Sequence, residues 1–362
     1  MPAGETAGMS LPRRALCLAL PTLLTGRAAA ASLPVGADPA SEAAEWRAFA
    51  ARFLAPEGRV VDTGNGGISH SEGQGWALLC AEAAGDRERF ELILGWTRRM
   101  LARPGDALFS WRWRPEGGVE DPNNATDGDL MIAWALLRAG ARWQSETLTE
   151  LGTAIARDVL RFLTRQVGED TVLLPGLRGF EQRDHIVVNP SYYAFPALRA
   201  LAKAVPDPRW LILAGDGIGL LRRSRFGRWG LPSDWVALPR GGGRPTPAPG
   251  WPARFSYDAV RVPLYLAWAG LGQEPAAAAA ASFWTDPRHP RLPAWTDLGS
   301  NAISPYQASS GIQSIARLAA AQAAAPPGGL VVAGVQEARD YYAGILTLLV
   351  RLAWRDSRRG TT

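Results

Sequence analysis

Apolar residues recur at i, i+3, i+4 and i+7 along most of the chain, the spacing of a helix that turns one face to a core. The pattern predicts helices over 39–54, 72–84, 87–102, 127–141 and 146–166. Further helices are expected near 191–204, 208–222, 259–270, 275–284, 309–324 and 336–354. Gly85-Asp86 divides the second from the third. The run Leu130-Met131-Ile132-Ala133-Trp134-Ala135-Leu136-Leu137 is apolar nearly all round, so that helix belongs inside other helices. Three loops, 104–126, 168–190 and 224–257, are rich in Gly and Pro and dotted with aromatics. Within the second, Val172-Leu173-Leu174-Pro175-Gly176 reads as a short strand and turn. Long loops on a helical scaffold are where function tends to sit.

Helices in this number suit an all-α ring of helical hairpins, inner and outer helices alternating, with long loops and a few short strands. No literal sequence repeat marks a solenoid. No linker divides the chain, so residues 32–362 are expected to form a single domain. The amino terminus reads differently. Arg13-Arg14 precedes a short apolar run over 15–24, and Ala28-Ala29-Ala30-Ala31-Ser32 follows. Basic patch, apolar run and small-residue exit make residues 1–31 a secretory signal peptide. The Arg pair fits a twin-arginine signal only loosely. The run is too short to span a bilayer stably, and no later stretch qualifies. The expected product is a protein secreted to the periplasm or the medium, monomeric and not stably inserted in a membrane.

Composition narrows the chemistry. The 362 residues are 47% hydrophobic and 20% charged, ample for a large core. The net charge of +5 is spread in short clusters such as Arg222-Arg223-Ser224-Arg225 and Arg358-Arg359. A nucleic-acid binder would concentrate it in a stripe with a matching motif, so none is expected as a partner. There are two Cys, and Cys17 falls in the leader, which leaves Cys80 without an internal partner. His70, His185 and His289 share no ligand spacing, so no metal is expected. Catalysis then falls to Asp and Glu with no cofactor. The 15 Trp are mostly core, but an aromatic face is also a platform for the apolar face of a sugar ring.

Three acidic residues stand at predicted helix starts, each after a polar or Gly-rich loop. Ser71-Glu72-Gly73-Gln74 has the spacing of a capping box, with Glu72 in the first turn. Thr126 and Asp129 bracket another helix start, with Asp127 at its first position. Asn123 and Asn124 stand ready to hydrogen-bond it, and an Asp pair spaced by one residue also suits a metal, though no His or acidic companion lies near. Ser256 is a candidate cap for a third helix, in which Asp258 and Arg261 would pair at i and i+3. Each feature alone fits a helix cap or a structural ion pair as well as it fits catalysis. Together they fit glycoside hydrolysis, which needs one protonated and one ionised carboxyl. A helix N-terminus lowers a carboxyl pKa, so the protonated member would need a neighbouring carboxylate and shielding from water.

These residues resemble glycoside hydrolase family 8, most closely its bacterial β-1,4-glucanases associated with cellulose synthesis. The segment Ala125-Thr126-Asp127-Gly128-Asp129, followed by Ile132-Ala133, Ala135-Leu136-Leu137, Ala139 and Trp143, meets the family signature. Ser71-Glu72-Gly73-Gln74-Gly75 and Ser256-Tyr257-Asp258-Ala259-Val260-Arg261-Val262 resemble its acid and base segments. The resemblance implies an (α/α)6 barrel with an open groove and an inverting, endo-acting hydrolase of a β-1,4-glucan chain. It implies Glu72 as general acid, Asp258 as base and Asp127 as the carboxylate that binds the central sugar and tunes the other two. Tyr257 and Arg261 would orient base and water. Trp111 or Trp113 would offer a platform, and Tyr192, Tyr193 and Trp235 would line the groove. Tyr306 is a further candidate there. Asp234 is the rival for the base. Trp76 stands where many relatives carry Tyr, and Ala77 where they often carry Gly, which would reshape a subsite. Xylan, chitosan and mixed-linkage glucan are alternative substrates. A non-catalytic glucan-binding part of a cellulose-export machine is the alternative of another class. A cellulose synthase complex is the expected protein partner. Inversion requires the acid and base carboxyls about 6.5–9.5 Å apart.

Overall fold

The break expected at Gly85-Asp86 shows how local chemistry cuts this chain into helices. Gly85 takes φ +72°, a left-handed conformation that costs glycine nothing, and ends one helix. Asp86 then accepts a hydrogen bond from Arg89 N at 3.1 Å and starts the next. The computed structural model describes Val35 and residues 39–359 apart from 325, 327 and 328. The expected leader, 1–31, lies outside the described residues. Among the described residues are the helices α1 (Pro39–Phe53), α2 (Ser71–Ala84), α3 (Arg87–Met100), α4 (Thr126–Trp143), α5 (Glu146–Phe162), α6 (Phe195–Ala204), α7 (Arg209–Arg223), α8 (Arg261–Trp268), α9 (Pro275–Trp284), α10 (Ser310–Ala323) and α11 (Tyr341–Arg359).

Three expected helices are shorter or displaced. The one expected to run to 166 stops at Phe162, and β3 (Thr164–Val167) pairs antiparallel with β4 (Asp170–Leu173) through Gly168 at φ +59°. The 3.6-residue pattern simply ran on into a hairpin. Before α6 the chain makes a 3-10 turn over Pro190–Tyr192, and α6 itself starts at Phe195. A second 3-10 turn, Val335–Glu337, precedes α11. The remaining strands are short and antiparallel. β1 (Ser69–His70) pairs with β2 (Arg112–Trp113), and β8 (Arg254–Phe255) with β9 (Thr296–Asp297). β5 (His185–Val188), β6 (Val236–Pro239) and β7 (Thr246–Pro247) form one small sheet.

The helices α2, α4, α6, α8 and α11 pack in sequence and close back on α2. Helix α10 lies against α8, α9 and α11, while α1, α3, α5, α7 and α9 lie outside the ring. This is the α/α barrel that the hairpin pattern predicts. Its core is dense with aromatics: Trp46, Trp76, Trp210 and Trp268 are fully buried, and Trp134 tilts against Trp268 at 4.8 Å. Helices α2 and α4 meet closely because Gly75 has no side chain; a Cβ there would stand 2.7 Å from Met131 Cβ. The starts of α2, α4, α8 and α11, with the 3-10 turn before α6, supply the residues that meet in one cleft. Among the described residues no helix is long and apolar enough to cross a membrane.

Candidate active site

Glu72 is delivered by a strand-to-helix step. Pairing of Ser69 with Trp113 and His70 with Arg112 holds the chain extended, and Ser71 N donates to Trp111 O at 3.0 Å. The expected capping box is not what starts α2. His70 is the cap: its Nδ1 accepts from Gly73 N at 3.0 Å. That role leaves the ring proton to Nε2, which faces Asp62 Oδ2 at 3.5 Å. Ser71 is already helical, and Gln74 turns inward instead of back. Gln74 accepts from Val60 N at 2.7 Å and donates to Thr97 Oγ1 at 2.8 Å. A buried amide with partners on two other segments gains more from them than from an exposed cap.

Asp127 reaches Glu72 through a close approach of two helix starts. A Cβ on Gly128 would stand 2.2 Å from Ser71 Oγ and 2.7 Å from Glu72 N. Only glycine lets the first turns of α2 and α4 touch. Thr126 is not the cap of α4; Ala125 holds that position, and Thr126 Oγ1 donates to Leu174 O at 2.6 Å. Asp127 is therefore the second helical residue, with Oδ1 accepting from Gly128 N at 2.8 Å. Asp129 diverges from it. Its oxygens accept from Phe109 N at 2.8 Å and Asn124 Nδ2 at 2.7 Å. Burial pushes the Asp129 carboxyl up to about 8. The two aspartates thus serve different neighbours and do not form a paired ligand site, and Asn124 holds Asp129, not Asp127.

Asp258 lies in the turn that precedes α8. Ser256 caps no helix, since α8 begins only at Arg261. The expected Asp258–Arg261 pair is present, Oδ1 to Nη2 at 3.0 Å. That same nitrogen stands 3.0 Å from Glu72 Oε1, 3.5 Å from Asp127 Oδ2 and 3.0 Å from Ser191 Oγ. Arg261 is buried, with its guanidinium 5.4 Å from the Trp76 ring centroid. One guanidinium nitrogen therefore bridges all three carboxyls. Its two hydrogens cannot serve four oxygens at once, and Glu72 Oε1 has no aligned donor. The facing oxygens of Glu72 and Asp258 each lie 3.0 Å from that nitrogen, so they are no more than about 6 Å apart, closer than the separation expected of an inverting pair.

Two of the three carboxyls are raised above the ordinary range. Burial is the largest influence on Glu72 and pushes its carboxyl well above the ordinary range; Arg261 opposes this, and Asp127 and Asp258 add to it. Asp258 is also raised, first by burial and then by Asp127, but Arg261 and a hydrogen bond from Asn189 pull it back. A protonated Glu72 donates to Asp127, the side chain that hydrogen-bonds it.

The three acids line a cleft of about 240 Å³ with Trp111, Tyr192 and Tyr342. Trp111 is fixed by Nε1 donating to Asp121 at 2.8 Å. Tyr257 is exposed at the rim, its hydroxyl 3.1 Å from that of Tyr306, and its carbonyl accepts from Arg261 Nη1 and from the Tyr342 hydroxyl. Three further candidates do not touch the acids' hydrogen bonds directly. Trp113, half-buried, packs edge-on against Trp96 at 5.6 Å under Arg59. Tyr193 is buried and its hydroxyl accepts from Leu173 N at 3.0 Å. Trp235, half-buried, is stacked between Phe180 and Trp251 and meets Tyr192 edge-on at 6.2 Å. Aromatics next to one another in sequence point different ways, so a motif names a segment and not a face. Tyr342, His70, Asp62 and Asn189 were missed. Only Asn189 had a signal, its place in Asn189-Pro190-Ser191 before Tyr192.

Comparison with known proteins agrees with this geometry. The model of the family described as glycosyl hydrolases family 8 matches residues 20–356. A probable endoglucanase of Novacetimonas hansenii is 45% identical over 88% of this chain and 92% of its own length. An endoglucanase of Cellulomonas uda is 41% identical over 75% of each. The structure of an endo-β-1,4-glucanase from Acetobacter xylinum superposes with a TM-score of 0.81 at 44% identity, covering 87% of this chain and 98% of that one. The match of family model, relatives, fold and carboxylate cluster places this chain in glycosyl hydrolase family 8.

Proposed function

We infer that the protein is an endo-β-1,4-glucanase, a glycosidase that cuts internal bonds of a β-glucan by acid–base hydrolysis. The observation that carries the reading is the convergence of Glu72, Asp127 and Asp258 on one nitrogen of Arg261 at the floor of an open cleft. Relatives named endoglucanase support the substrate class. Glu72 gives its proton to the leaving glycosidic oxygen. Asp258, ionised, takes a proton from a water that attacks the anomeric carbon. Asp127 keeps Glu72 protonated by its own charge and holds the sugar at the point of cleavage. Arg261 supplies the positive charge that balances the carboxyl cluster. Trp111 and Tyr192 offer apolar faces to the sugar rings. Exchange of one proton with solvent resets acid and base.

The inverting course rests on the family resemblance and on the acid–base roles that these environments favour. Secretion to the periplasm or medium, and a place beside a cellulose-synthesising machine, are part of the same reading. Cello-oligosaccharides with product sizing and anomer detection test it. Internal cleavage with α-anomers appearing first is expected. First release of β-anomers would replace inversion by retention. Binding of cello-oligosaccharides without turnover would replace the enzyme by a glucan-binding component. Faster turnover of xylan, chitosan or mixed-linkage glucan in parallel assays would replace the substrate.

A further inference from the structure

Asp234 is the buried acid that the mechanism does not use. It lies just before β6 and is 7% exposed. Its own N–H donates to Arg254 O at 2.7 Å, which ties it to β8, the strand that leads into the base turn. Its carboxylate accepts from three donors: Ser256 N at 2.9 Å, Ala259 N at 2.8 Å and the Ser256 hydroxyl. Ser256 and Ala259 bracket Tyr257 and Asp258. The carboxylate therefore grips the backbone on both sides of the base.

We propose that Asp234 is a positioning residue for hydrolysis, one that fixes the turn Ser256–Ala259 and so aims the Asp258 carboxylate at the attacking water. The inference rests on the reading of Asp258 as the base. A turn before a helix has few contacts of its own. Three hydrogen bonds to one buried carboxyl group give it a single conformation. The opposite side of the turn is held by Tyr257 O, which accepts from Arg261 and Tyr342. Displacement of a reacting group by about 1 Å costs on the order of 10²-fold in rate, so the grip has a kinetic consequence.

Burial, then the neighbouring Asp258, push the Asp234 carboxyl up to about 7, so in mild acid it is neutral and acts through its hydrogen bonds.

Asp234→Ala and Asp234→Asn test the inference on cello-oligosaccharides, with the intact enzyme as reference. Asp234→Ala removes all three acceptors, and kcat per folded molecule is expected to fall at least tenfold with KM changed less than threefold. Asp234→Asn keeps an acceptor for both backbone N–H groups. It is expected to recover much of kcat. If the alanine variant does not fold, Asp234→Glu, which keeps the carboxyl but displaces the turn, carries the same test through its fall in kcat at little-changed KM. Unchanged kcat in the folded alanine or glutamate variant, whatever happens to Tm, overturns the inference. An intact enzyme without glucanase activity overturns the functional reading instead, so the two failures are distinct.

Discussion

Glu72 is the residue on which the proposed chemistry turns, and its behaviour follows from competition between nearby groups. Arg261 favours the ionised form; burial, Asp127 and Asp258 favour the neutral form and win. Glu72→Gln keeps the shape and removes the proton donor. Hydrolysis of carboxymethylcellulose is expected to fall by roughly 10²–10⁴-fold while the circular dichroism spectrum stays unchanged. Near-normal hydrolysis by the folded variant would end the assignment of the acid. Trp111 makes no contact with the acids' hydrogen bonds, so its effect should appear in binding. Trp111→Ala is expected to raise KM for cello-oligosaccharides by about 5–30-fold, on the order of 1–2 kcal/mol, with kcat nearly unchanged. A loss confined to kcat would remove it from the list of platforms.

At the scale of elements, the site exists because helix starts meet. Four of them and a 3-10 turn contribute side chains to it, and α2 and α4 touch where Gly128 faces Ser71. Backbone N–H groups at such ends are unpaired and carry partial positive charge, which suits carboxylates in an ionised state. Gly128→Ala inserts a methyl group 2.7 Å from Glu72 N, where backbone has little freedom to give. A stability loss of about 1–3 kcal/mol is expected in denaturant titration, together with a fall in kcat as the two starts are pried apart. An alanine variant with unaltered stability and turnover would show that the approach is looser than the geometry implies.

At the scale of the whole molecule, the buried carboxyls set two pH dependences. On the proposed roles, activity needs Asp258 ionised and Glu72 neutral. The rate should therefore fall at low pH as the base takes a proton, and at high pH as the acid loses one. A rate independent of pH from 4 to 9 on buffers of constant ionic strength would contradict both roles. Stability follows the opposite logic for raised and lowered groups. Asp129 and Asp234 are raised to about 8 and about 7, so the folded chain holds protons that the unfolded chain has already lost above the ordinary carboxylate range. Their contribution is complete below that range and is lost as pH rises through 7 and 8. Asp86, Asp121 and Asp297 are lowered, and their contribution is lost in acid instead. Tm is expected to peak on the acidic side of neutrality and to decline from pH 5.5 to pH 8.5, which scanning calorimetry can check. A Tm that climbs across that interval would overturn this reading of the two raised groups.

The sequence by itself determined the helical pattern, the inward position of the 127–141 helix, the break at Gly85 and the three acid-bearing segments. These are short-range properties: an apolar stripe, a left-handed glycine and a motif are complete within a few residues. It also brought Arg261 beside Asp258, because residues three apart close up in a turn, here one in which Arg261 N donates to Asp258 O. What caps a helix was decided elsewhere. Ser71, Thr126 and Ser256 all had the right neighbours for caps, yet a carbonyl or carboxylate from another element claimed Thr126 and Ser256, and His70 displaced Ser71. The same holds for the aromatics: only packing put Trp111 in the cleft and Trp113 against Trp96. Above all, only the closed ring brings Glu72, Asp127 and Asp258 to one guanidinium nitrogen across nearly two hundred residues of chain. A charge cluster is a property of distance in space, and its pKa values arise from burial, which no local pattern contains.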